Sequence, residues 1–128
     1  MRLLLDTHTL IWWVLEPDKL SKRIDRLLQD ADTDVYVSAL TAWEIAIKVE
    51  LGKLAFDATY LDEFDHRMNE MSWMTLPILP AHGIAAARLP GPHKDPFDRM
   101  LVAQALSEGL AIASLDQKLV ALGANLIW

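Results

Sequence analysis

The sequence contains no cysteine. That absence excludes a disulfide-stabilised scaffold, a thiolate zinc site and a cysteine nucleophile. Long apolar runs are also missing, because the longest, residues 10–15, is far shorter than the roughly 18–20 residues that span a bilayer. The apolar start of the chain is broken at once by Asp6, which argues against a signal peptide. Together these features predict a soluble cytoplasmic protein.

The sequence also lacks an excess of basic residues. It has 12 Lys and Arg against 18 Asp and Glu, which gives a net charge of −6. A protein that binds nucleic acid through bulk electrostatics normally presents a basic surface, so we do not expect this chain to hold a phosphate backbone in that way. Carboxylates that bind divalent cations can reverse the local field, so the positions of the acidic residues become the important question.

The chain has 128 residues, of which 52% are hydrophobic, and this length predicts one domain over residues 1–128. Apolar segments alternate with amphipathic ones, and no linker or repeat interrupts them. Strands that alternate with helices predict an α/β fold of three layers, with a mostly parallel sheet between helices. The predicted strands cover residues 2–5, 35–38, 76–79, 110–114 and 124–128; the predicted helices cover about 19–31, 41–51, 59–71, 80–88, 96–108 and 117–122.

Four acidic residues follow predicted strands or begin predicted helices. Asp6 comes directly after the first strand, and Asp116 comes shortly after the strand at 110–114. Glu44 and Asp98 lie in the predicted first turns of two helices. Ligands of open α/β sheets bind beyond the carboxyl ends of the strands, so these carboxylates converge if their strands are neighbours. Ionised carboxylates repel one another, and Mg²⁺ or Mn²⁺, which prefer oxygen ligands, would compensate the repulsion.

Each of these acidic residues also has a purely structural explanation. Thr41 and Glu44 fit a capping box at a helix start. Asp98 could complement the dipole of its helix, and Asp116 could cap the last helix. Asp6 is the hardest to explain in this way, because an unpaired charge between a buried strand and an apolar run is costly.

Four local segments give more specific information about the protein than its composition does. Residues 4–13 read LLDTHTLIWW, residues 38–45 read SALTAWEI, residues 93–105 read HKDPFDRMLVAQA, and residues 114–116 read SLD. In this order they resemble the motifs of the PIN-domain family, in particular the VapC-like toxins of bacterial toxin–antitoxin pairs. The fourth motif more often has threonine where this chain has Ser114. The resemblance covers nearly the whole chain.

The resemblance implies a PIN-like fold and a metal-dependent endoribonuclease that hydrolyses RNA with a metal-activated water, leaving 5′-phosphate and 3′-hydroxyl ends. Asp6 and Asp98 would be the principal ligands of Mg²⁺ or Mn²⁺, and Glu44 and Asp116 would complete the acidic site. Asp95 also matches the third motif, although a helix-capping role is sufficient to explain it. Family members are commonly homodimers that a cognate antitoxin holds inactive.

Several polar residues near the predicted site are candidates for a supporting role. Ser38, Thr7 and Ser114 could form hydrogen bonds to the carboxylates or to water. Arg99, together with His93, could guide a phosphate into the site. For each of them a turn, cap or loop role is an alternative.

Two other function classes remain open from the sequence. The first is a Mg-dependent phosphotransfer domain of the receiver or phosphatase type. A receiver has an acidic pair after its first strand and a lysine at the end of its last, whereas Asp6 stands alone and residues 110–114 contain no lysine. The phosphatase pattern Asp-x-Asp has His8 at its second position here. The second class is a protein-binding scaffold with a vestigial acidic rim, against which the four intact acidic residues argue.

Overall fold

Five parallel strands form the centre of the structure, a computed structural model that describes every residue from Met1 to Trp128. Their order across the sheet is β3-β2-β1-β4-β5, and every neighbouring pair is parallel. All five strands therefore end at the same edge of the sheet. The strands are β1 Arg2–Leu5, β2 Asp34–Ser38, β3 Met74–Leu76, β4 Ala111–Ala113 and β5 Leu126–Ile127.

Helices cover both faces of this sheet, which confirms the predicted three-layer α/β architecture. The helices are α1 Thr7–Leu15, α2 Lys22–Gln29, α3 Ala39–Glu50, α4 Ala58–Asp62, α5 Phe64–Glu70, α6 Pro80–Arg88, α7 Pro96–Glu108 and α8 Lys118–Ala121. One hydrophobic core joins the sheet to α1, α2 and α5, and a second joins it to α7 and α8. No helix is long and apolar enough to cross a membrane.

The central strand β1 shows why this sheet needs two covered faces. Leu3 and Leu5 belong to the first core, Leu4 belongs to the second, and none of the three is exposed to solvent. Successive side chains of a strand point to opposite faces, so a continuous run of leucines requires helices on both sides.

The predictions for α6 and α7 are confirmed residue for residue. Each helix has proline at its first position, where the missing N–H costs nothing. Asp95 caps α7, and Gly109 ends it in the left-handed conformation, with a φ of 67°.

Three predicted helices are wrong in their bounds. The helix predicted from residue 19 begins at Lys22, after Ser21 Oγ accepts a hydrogen bond from the Ile24 N–H. The helix predicted from residue 41 begins at Ala39, and the one predicted over residues 59–71 is split into α4 and α5 at Glu63.

Several other bounds differ from the predictions. The strand predicted over 76–79 lies at Met74–Leu76, at the edge of the sheet, and ends before Pro77, which has no N–H to continue a ladder. The elements predicted over 110–114, 117–122 and 124–128 are shorter in the structure. The helix Thr7–Leu15 was not predicted, because its apolar run shows no clear helical period.

Candidate active site

The strand order reverses beside β1, and this reversal creates a crevice at the carboxyl edge of the sheet. β2 and β3 lie on one side of β1, while β4 and β5 lie on the other. Leu5 at the end of β1 pairs with Ala113 at the end of β4, so the residues that follow them face each other. Open α/β sheets bind their ligands at such a switch point. An open cleft of about 210 Å³ lies there, lined by Asp6, His8, Thr9, Trp12, Leu115 and Asp116.

Asp6 is the most deeply buried of the four predicted acidic residues, with 8% of its surface exposed. Its Oδ2 accepts a hydrogen bond from Ser114 Oγ at 2.6 Å. Burial raises the pKa of the Asp6 carboxyl and the Glu44 charge adds to this, although the bond from Ser114 and the nearby His8 oppose it. Ser114 carries no charge, so a cation would stabilise the ionised form.

Glu44 does not form the capping box with Thr41 that its spacing predicted. Helix α3 begins at Ala39 and is capped by Ser38, which places Glu44 in the second turn rather than the first. Its carboxylate accepts a hydrogen bond from Thr7 Oγ1 at 2.7 Å and forms an ion pair with Lys48 at 3.4 Å. The side chain is therefore tied to α1, next to Asp6.

Asp98 lies in the first turn of α7, as predicted, but it does not cap that helix. Asp95 is the cap, because its Oδ1 accepts hydrogen bonds from the N–H groups of residues 97 and 98. Burial raises the pKa of the Asp98 carboxyl, a hydrogen bond from His93 opposes the rise, and the charges of Asp95, Asp6 and Asp116 add to it. Asp98 is thus within electrostatic reach of the acidic residues that follow β1 and β4.

Asp116 follows β4 and is half-buried at the same edge. Its Oδ1 accepts a hydrogen bond from the Lys118 N–H at the start of α8, and its own N–H donates to Ser114 Oγ. The N-cap of α8 is Gln117 rather than Asp116, although Asp116 satisfies the Lys118 N–H at the start of that helix. The same contacts connect Asp116 through Ser114 to Asp6.

Three of the predicted supporting residues differ in what they contact. Ser114 bonds to Asp6, whereas the buried Ser38 donates to Gln104 Oε1 at 2.6 Å and contacts no carboxylate. The Arg99 guanidinium donates to the backbone carbonyls of residues 86, 89 and 93. Arg99 therefore fixes the loop before α7 against the end of α6.

The chemistry of the donor set fits a divalent cation. Carboxylate oxygens are the ligands that Mg²⁺ and Mn²⁺ prefer, and the buried Asp6 lacks a cationic partner in its hydrogen bond with Ser114. As placed, no three His, Asp or Glu side chains lie close enough together to hold one ion. The acidic residues therefore supply suitable donors at one edge, and the structure shows no preformed cage.

The raised pKa of the Asp98 carboxyl predicts that this group destabilises the metal-free fold at neutral pH. A carboxyl with a higher pKa in the folded state binds its proton more tightly there, so stability falls as pH rises from the ordinary carboxyl pKa through the raised one. In chelator, Asp98→Asn should therefore melt at a higher temperature than the wild type at neutral pH. Thermal unfolding should show that this difference in melting temperature shrinks as the pH is lowered towards the ordinary pKa of a carboxyl. A lower melting temperature for the variant at neutral pH would contradict the assignment.

Sequence reasoning missed the specific partners of these side chains. The bond from His93 to Asp98 spans a loop whose course is not encoded in local spacing. Gln104, which holds Ser38, could have been suspected because it is a polar residue inside the buried run 101–105 of α7. Lys48 could have been paired with Glu44 from their i, i+4 spacing.

Comparisons with known sequences find similar proteins. The profile of the PIN domain matches residues 3–125. A relative, the ribonuclease VapC22 of Mycobacterium tuberculosis (strain H37Rv), is 28% identical over 117 residues, which are 91% of this chain and 88% of the relative.

Solved structures with the same fold show lower identity. VapBC2 from Rickettsia felis, bound to a DNA fragment from its promoter, superposes with a TM-score of 0.72 at 12% identity, covering 99% of this chain and 98% of the other. FitAB bound to an IR36 DNA fragment superposes with a TM-score of 0.69 at 20% identity, covering 98% of this chain and 93% of the other. FitAcB from Neisseria gonorrhoeae superposes with a TM-score of 0.67 at 21% identity, covering 98% of this chain and 96% of the other.

Proposed function

Because this chain belongs to the PIN-domain family, we propose that it is a divalent-metal-dependent endoribonuclease and the toxin of a toxin–antitoxin pair. The observation that carries the proposal is that Asp6, Glu44, Asp98 and Asp116 lie at the same edge of the sheet. They come from four separate segments, yet Ser114 forms hydrogen bonds with both Asp6 and Asp116, and Thr7, next to Asp6, donates to Glu44. The charges of Asp6 and Asp116 also raise the pKa of the Asp98 carboxyl. The similarity to ribonuclease VapC22 supports RNA as the substrate.

Asp6 and Asp98 are the proposed principal ligands of Mg²⁺ or Mn²⁺, and Glu44 and Asp116 complete the acidic site. When bound, such an ion neutralises phosphoryl charge and activates a water as nucleophile. Ser114 orients the Asp6 carboxylate through the bond to its Oδ2. The chain thus contributes fixed carboxylates, and no side chain has to form a covalent bond to RNA.

The net charge of −6 bears on how RNA would be held. Without a basic excess, long-range attraction of a phosphate backbone is weak. Substrate binding would then depend on the metal-loaded site, and affinity for RNA should fall when the metal is removed.

A cognate antitoxin, a second copy of the chain and a cytoplasmic location complete the proposal. Structures of VapBC2 and FitAB contain this fold within assemblies on DNA, which is consistent with an antitoxin partner. Light scattering of the purified protein measures the oligomeric state.

The proposal is tested by incubating the protein, freed of any co-purified antitoxin, with total RNA and Mg²⁺ or Mn²⁺. We expect discrete fragments with 5′-phosphate and 3′-hydroxyl ends, and no fragments when EDTA is present. Cleavage that persists in EDTA would contradict metal dependence. Cyclic 2′,3′-phosphate ends would show attack by the ribose hydroxyl instead of water, and covalent labelling of Asp6 by a phosphoryl donor would favour the phosphotransfer alternative.

A further inference from the structure

A histidine outside the acidic set contacts one of the proposed metal ligands. His93 Nε2 lies 2.7 Å from Asp98 Oδ2. We propose that His93 is a positioning residue that fixes the Asp98 carboxylate in the orientation in which it binds a divalent cation. This inference rests on the proposed function, because it assumes that Asp98 is a metal ligand.

The loop that carries His93 is held firmly in place. Arg99 donates to the carbonyls of Leu89 and His93 at its two ends, and also to Ala86 at the end of α6. Gly91 within the loop has a φ of 95°, a conformation that residues other than glycine rarely adopt. The position of His93 is therefore set by the loop and by Arg99.

The contact between His93 and Asp98 leaves the carboxylate able to bind a metal. A carboxylate has two oxygens, and a bond to Oδ2 leaves Oδ1 as a potential ligand. Because an ionised carboxylate only accepts, His93 donates from a protonated Nε2. Hydrogen-bonding partners of this kind orient ligating carboxylates, and losing one typically weakens metal binding by about 10–100-fold.

Two other acidic residues of the site also accept a hydrogen bond from a neighbouring side chain. Ser114 bonds to Asp6 at 2.6 Å, and Thr7 bonds to Glu44 at 2.7 Å. His93 gives Asp98 the corresponding partner, from the loop next to α7.

A second histidine–carboxylate contact on the surface provides a matched control. His66 lies 2.7 Å from Glu70, but both side chains are more than half exposed, whereas those of His93 and Asp98 are 20% and 25% exposed. The two contacts have the same length, and only the contact of His93 adjoins the acidic site.

The test measures Mn²⁺ binding by calorimetry and thermal unfolding in chelator. His93→Phe retains a ring of similar size without the donor, so we expect affinity about 10–100-fold lower while the protein remains folded. His93→Gln restores an N–H at a comparable distance and should recover most of the affinity. His66→Phe should bind Mn²⁺ like the wild type. In the cleavage assay, the defect of His93→Phe should diminish as Mn²⁺ approaches saturation.

Other outcomes would overturn the inference. Unchanged affinity in His93→Phe, with Asp98→Asn impaired, would reject the role of His93 and leave the proposed function intact. Tighter binding in His93→Phe would show that His93 competes with the metal. Equal losses in His93→Phe and His93→Gln, accompanied by a lower melting temperature, would assign His93 to loop stability alone. A wild-type protein that binds no Mn²⁺ would remove the proposed function and this inference with it.

Discussion

Asp98→Asn should reduce the rate of RNA cleavage by roughly a thousandfold or more. A bound metal would stabilise the transition state by several kcal/mol, and each loss of about 1.4 kcal/mol slows the reaction tenfold. An amide has nearly the size of a carboxylate but no charge, so it holds Mg²⁺ weakly. Asp6→Asn should have a comparable effect for the same reason. Cleavage of labelled RNA at fixed Mg²⁺ concentration, together with Mn²⁺ calorimetry, measures both losses.

Asp95→Asn is the matched control for that prediction. It makes the same chemical change three residues earlier, at the start of the same helix. Asp95 acts as the cap of α7, and asparagine caps a helix about as well as aspartate, so activity and stability should stay close to wild type. Full activity in Asp98→Asn, or an equal loss in Asp95→Asn, would contradict the assignment of Asp98 as a ligand.

Leu4→Ala should have the largest effect on stability. Leu4 lies on the central strand β1 and is not exposed to solvent. Truncating a buried leucine costs about 2–5 kcal/mol, which is a large part of the roughly 5–15 kcal/mol that stabilises a domain. Urea unfolding measures this change as a lower transition midpoint with a similar slope.

Leu115→Ala is the control for the truncation at Leu4, because Leu115 is 51% exposed. It should change the free energy of unfolding by no more than about 0.5 kcal/mol. A midpoint for Leu4→Ala close to that of wild type would mean that the β1 core repacks around the missing side chain.

The sequence was informative wherever structure depends on near neighbours in the chain. Helices α6 and α7 have proline starts, and α7 has an aspartate cap and a terminal glycine, so their bounds could be predicted. The bounds of α3 could not, because Ser38 and Thr41 are both acceptable caps and only packing chose Ser38. Glu44 consequently lies in the second turn and bonds to Thr7.

The acidic residues of the candidate site could be proposed from sequence because each follows a predicted strand or lies near the start of a predicted helix. Their convergence could not, since the sequence does not state which strands are neighbours. The sheet places β1 between β2 and β4, and this order brings the four segments to one edge.

The alternation of strands and helices, the family motifs and the four candidate carboxylates could be recognised in the sequence, because these depend on local propensity, capping and spacing. The donor that bonds to each carboxylate follows only from the folded chain: Ser114 for Asp6, Thr7 for Glu44 and His93 for Asp98. Two of these bonds, those from Ser114 and Thr7, join residues far apart in the chain. The third depends on a loop held by Arg99. Such contacts follow from the packing of the sheet and its helices, and no local pattern in the sequence specifies them.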